Sequence, residues 1–85
     1  MARARKGTKT LRSPEHRALC ALLVAARRKQ GLKQADVAAR LGKPQSYVAK
    51  YEGGERRLDI VEFLRVSEAI GFDPARFVRD LSKAH

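Results

Sequence analysis

The chain has 85 residues, 44% of them apolar and 6% aromatic, with one cysteine and a formal net charge of +10. That length supports a single domain near the lower limit for a self-sufficient core, and one thiol excludes an intramolecular disulfide. The charge is uneven: residues 1–26 hold six Lys/Arg against one acid, residues 27–57 nine against three, and residues 58–85 four against five. The first two thirds therefore suit a polyanion, and the near-neutral last third suits something uncharged, such as another protein.

Residues 1–12 carry Arg3, Arg5, Lys6, Lys9 and Arg12 with no acid and almost nothing to bury, which predicts a disordered basic arm. The apolar run Ala18 to Ala26 behind that basic start superficially resembles a secretory leader. Charge resumes at once as Arg27-Arg28-Lys29, and the run is too short to span a bilayer, so a cytoplasmic protein with no membrane partner is expected.

Ser13-Pro14-Glu15 supplies an N-cap, a proline at the first helical position and an acid in the first turn. Leu19, Leu22, Leu23 and Ala26 follow at helical spacing, and Gly31 is a stop, so a first helix covers about 14–30. A second fits 34–41 with Val37, Ala38 and Leu41 on one face, and Gly42 ends it. A third covers about 45–52 and ends at Gly53-Gly54. Asp59 and Glu62 form a variant capping box for a fourth helix, whose expected inner stripe is Ile60, Phe63, Leu64, Ser67 and Ile70, with Gly71 as stop. Asp73-Pro74 opens a fifth with Phe77, Val78 and Leu81 apolar. No stretch alternates convincingly at period two, so residues 13–85 are expected to form one all-α domain of five helices.

Two short helices joined by a Gly-containing turn inside a bundle make a helix-turn-helix, here at helices 2 and 3. Ala38 is small enough for close approach of the third helix, and Gly42 allows the left-handed backbone that the turn needs. On a wheel of about 100° per residue, Val48 and Tyr51 point inward. Ser46, Ala49 and Lys50 then face outward, with Gln45 at the N-terminal edge. These side chains suit a major groove: Gln pairs with adenine, Ser with either base edge, Lys with guanine O6/N7, and the Ala49 methyl packs on thymine. Tyr47 lies on a flank, either touching phosphate through its hydroxyl or packing there. Arg56 and Arg57, just past the glycines, are candidate phosphate contacts.

Residues 19–81 resemble the lambda-repressor-like, Cro/XRE-type helix-turn-helix family, and "QADVAARLGKPQSYVAKYEGG" carries the resemblance. It implies a DNA-binding domain whose third helix lies in the major groove, with Gln45-Ser46 and Lys50 reading bases. It also implies that Gln34 touches phosphate and braces Gln45, and that Arg27 pairs with Glu52 to fix the third helix on the first. Three positions depart from the family pattern. Lys33 replaces the usual Ser/Thr cap of the second helix, Lys43 replaces an apolar turn residue and offers a phosphate contact, and Pro44 replaces the polar cap of the third.

Catalysis and metal binding find no support. His16 and Cys20 lie four apart on one helix, but a structural zinc needs four ligands, and the other histidine is the terminal His85. The expected function is sequence-specific double-stranded DNA binding as a transcriptional repressor, without cofactor. The expected assembly is a homodimer on an inverted-repeat operator, with Phe77, Val78 and Leu81 as candidate dimer surface. The alternative is an antitoxin-type protein that uses the same fold to hold a protein partner, such as a toxin, and binds DNA to regulate itself.

Overall fold

The computed structural model describes residues 13–83, so the basic arm expected at 1–12 lies outside the described residues. Among the described residues there are five helices and no strand: α1 (Pro14–Lys29), α2 (Gln34–Leu41), α3 (Gln45–Glu52), α4 (Ile60–Ile70) and α5 (Pro74–Lys83). Local chemistry sets the ends. The Ser13 hydroxyl accepts the His16 N–H at 3.0 Å, and Asp59 and Glu62 exchange side-chain and backbone bonds at 2.7 and 2.9 Å to start α4. Lys33 caps α2 with no side-chain bond, but Asp36 compensates by accepting the Lys33 N–H at 2.8 Å. Gly42 turns α2 toward α3 at φ 68°, where a side chain would be strained.

With eight residues each, α2 and α3 are too short to persist alone and depend on burial. The core joins Leu23 of α1, Val37 and Ala38 of α2, and Val48 and Tyr51 of α3 to Phe63, Val66 and Ile70 of α4 and Phe77 of α5. The helix-turn-helix pair packs on α4 through α2 and on α1 through α3, while α5 returns to α1. Phe63, Phe72 and Phe77 close the base, with ring centroids 4.8–5.8 Å apart.

Two expectations need correction. The inner stripe of α4 is Phe63, Val66, Ser67 and Ile70; Val66 is fully buried, whereas Ile60 is 67% exposed and Leu64 46%. The expected and observed stripes share Phe63, Ser67 and Ile70 and differ only at the edge of the face, where packing buries Val66 and leaves Ile60 and Leu64 outside. Phe77 is 7% exposed and belongs to the core, so it offers no dimer surface, while Val78 beside it is exposed.

The buried line of α1 contains two polar members, His16 and Arg27. His16 Nε2 has no hydrogen-bond partner among the described residues, and burial, followed by the nearby Arg57 charge, holds the imidazole below its ordinary 6.5. The folded state thus binds fewer protons than the unfolded chain between that lowered value and 6.5. Stability therefore rises with pH across this window and falls on acidification. The thermal midpoint is expected to drop as pH falls from about 7 to 5. That drop should flatten in a His16→Gln variant, and an unchanged pH slope in the variant would assign the loss elsewhere.

Candidate nucleic-acid interface

Helix α3 has two faces. Val48 and Tyr51 are fully buried, while Gln45, Ser46, Ala49 and Lys50 are exposed. Cys20 Sγ donates to the Tyr51 carbonyl at 3.3 Å, tying the end of α3 to α1. The Tyr51 hydroxyl has no partner among the described residues, and burial drives its pKa far up, so it stays neutral.

A polar chain sets the roll of α3. Arg27 Nε and Nη2 donate to Glu52 Oε2 and Oε1 at 2.6 and 3.1 Å, with side chains only 10% and 5% exposed. Arg27 Nη1 also donates to the Leu32 carbonyl at 2.8 Å, so one guanidinium joins α1, the turn before α2, and α3. Hydrogen bonding to Glu52 raises the Arg27 pKa further. Glu52 Oε1 then accepts Gln34 Nε2 at 2.9 Å, and Gln34 Oε1 accepts Gln45 Nε2 at 3.4 Å. The buried ion pair thereby connects through Gln34 to the first exposed residue of α3.

A second cluster borders the other flank. Tyr47 packs edge-on against Tyr51 at 5.8 Å, with the Arg56 guanidinium 4.8 Å and Lys43 Nζ 5.4 Å from its ring centroid. Arg56 forms a two-pronged pair with Glu62, at 3.1 Å to Oε1 and 2.8 Å to Oε2. Of the residues expected at phosphates, Gln34 lies at the α3 edge beside Gln45, Lys43 flanks Tyr47, and Arg57 is exposed. Arg56 is held by a carboxylate. Sequence reading treated Glu62 only as a cap, because the bend of residues 53–59 that brings it to Arg56 leaves no mark in spacing. The Gln34–Glu52 bond was also missed, since a helix start and a distant helix end share no local pattern.

Among the described residues no three His, Cys, Asp or Glu side chains gather as a metal site, and no helix is long and apolar enough to cross a membrane. A helix-turn-helix family model matches residues 23–77. Among solved structures, the chain is 43% identical to an XRE-family like protein from Pseudomonas syringae pv. tomato str. DC3000, at a TM-score of 0.81, over 93% of this chain and 96% of that one. The restriction-modification controller protein C.Esp1396I shares the fold at 19% identity and a TM-score of 0.77, over 85% and 95% of the two chains. The controller protein C.AhdI from Aeromonas hydrophila is 26% identical at a TM-score of 0.70, over 76% and 98%. No curated protein matches the chain.

Breaking the buried pair strands a charge, so Arg27→Ala should cost about 3–5 kcal/mol in urea unfolding. The double replacement Arg27→Met/Glu52→Leu should recover most of that loss, since an apolar pair of similar size carries no desolvation penalty. Equal losses in the single and double variants would show that neither charge is stranded by the other's removal.

Proposed function

The chain belongs to the XRE-type helix-turn-helix family, and from that premise we propose that it is a sequence-specific double-stranded DNA-binding repressor that reads the major groove with α3. The observation carrying this reading is the division of α3 into a buried face and an exposed one of Gln45, Ser46, Ala49 and Lys50, with no large apolar residue on the exposed side. Each of these side chains has a base-edge partner, and eight residues of helix at the surface fit a groove about 12 Å wide. Gln34, Lys43 and Arg57 then meet phosphate on either side, and the Gln34–Gln45 bond orients the first reader.

One such helix reads too few base pairs to select a site in a genome, so the protein acts as a homodimer on an inverted repeat, with half-sites about one helical turn apart. The exposed Ile60, Val61 and Leu64 of α4 and Val78 of α5 provide apolar surface for that pairing, along with the half-buried Leu81. Repression follows from occlusion of a promoter by the bound dimer. The basic residues 1–12 add affinity for the backbone.

Selection from random duplexes of about 30 bp at near-physiological salt tests the reading. An enriched inverted repeat is expected, and equal retention of all sequences would overturn it. On the selected site, Gln45→Ala should cost about 1–3 kcal/mol and relax preference at one base position per half-site. A uniform loss across all sequences would remove Gln45 from base reading.

A further inference from the structure

Glu62 sits where a phosphate would be at home. Its carboxylate accepts both terminal nitrogens of Arg56, at 3.1 and 2.8 Å, and the Asp59 backbone N–H at 2.9 Å, at the N-terminal end of α4. The Tyr47 hydroxyl is near enough that its pKa rises, first through burial and then through the Glu62 charge. A guanidinium fork, a helix-start amide, a tyrosine and, farther off, Lys43 are the groups that hold nucleic-acid phosphate oxygens elsewhere. Here they converge on a carboxylate of the same chain, beside the first turn of α3. The pair is partly open, with side chains 39% and 27% exposed, so an outside anion can reach it.

We infer that Glu62 is an internal counter-ion that competes with a DNA backbone phosphate for Arg56 and so holds down the sequence-independent part of the affinity. The inference rests on the DNA-binding reading above. Hydrogen bonds from Arg56 and from the Asp59 N–H, with the charges of Arg56 and Lys43, hold Glu62 near a pKa of about 2, so it stays ionised at any working pH. A DNA phosphate therefore meets Arg56 already neutralised, and the contact forms only by displacing a resident anion. In a chain of net charge +10, such a brake keeps random sequence from competing with a true site.

The test is fluorescence anisotropy of the full chain on a labelled random-sequence duplex of about 30 bp, titrated at several salt concentrations. Glu62→Gln keeps an acceptor for the α4 cap but removes the charge, and its thermal midpoint serves as the folding check. Expected is about tenfold tighter binding at roughly 100 mM salt, with the slope of log K against log salt steeper by about one. Glu68→Gln, the same charge change on the exposed side of α4, should leave the slope unaltered. Arg56→Ala should reduce the slope by about one in the Glu62→Gln background and by clearly less in the parent.

A Glu62→Gln slope equal to that of the parent, or equal gains from Glu62→Gln and Glu68→Gln, would overturn the inference and leave DNA binding standing. Absence of binding by every variant, even at low salt, would overturn the DNA-binding reading and this inference with it.

Discussion

The ion pair between Arg27 and Glu52 is the constraint on which the rest of this small protein turns. It lies almost wholly out of water, so its partners must meet in good geometry, and one guanidinium satisfies both the carboxylate and the Leu32 carbonyl. Apolar contacts alone would hold α3 against the bundle with freedom to roll, since Val48 and Tyr51 are two points on a short cylinder. A two-pronged hydrogen bond at the C-terminal end removes that freedom. Through Gln34 the same pair reaches the N-terminal end of α3, so both ends of one eight-residue helix are referenced to α1.

Around that pair, cations gather beside α3, and exposed apolar side chains gather on α4 and α5, which also carry the exposed Arg65, Arg76 and Arg79. Lys43, Lys50, Arg56 and Arg57 lie in or beside the helix-turn-helix, whereas the exposed Ile60, Val61, Leu64 and Val78 belong to α4 and α5. Glu62 stands at the boundary, starting α4 while neutralising an arginine beside α3.

Fold and site were legible to different degrees. Helix ends read easily because caps and glycines are local: Ser13, Asp59, Gly42 and Gly71 act within four residues of where they stand. The buried face of α3 read easily too, since only Val48 and Tyr51 recur at helical spacing among polar neighbours. The face of α4 was legible only in part, because apolar Ile60, Val61 and Leu64 border Phe63, Val66 and Ile70, and spacing does not say which edge the core covers. Phe77 misled for a related reason: a large apolar residue on a terminal helix suits a core or an interface equally, and the choice lies with Phe63 and Phe72. The polar contacts split likewise. Arg27 and Glu52 were suggested by resemblance, whereas Arg56 with Glu62 depends on a loop path that no spacing encodes.

The division of α3 into separate inward and outward residues also bears on how such proteins diverge. Val48 and Tyr51 carry the packing, and Ser46, Ala49 and Lys50 carry none of it, so a lineage can exchange the outer three without passing through a misfolded intermediate. Gln45 is less free. Its amide is bonded to Gln34, and through Gln34 to Glu52 and Arg27, so a new residue there inherits a neighbour shaped for an amide. Among the exposed positions of the helix, duplicated copies of this chain should therefore drift more slowly at Gln45 than at Ser46, Ala49 and Lys50.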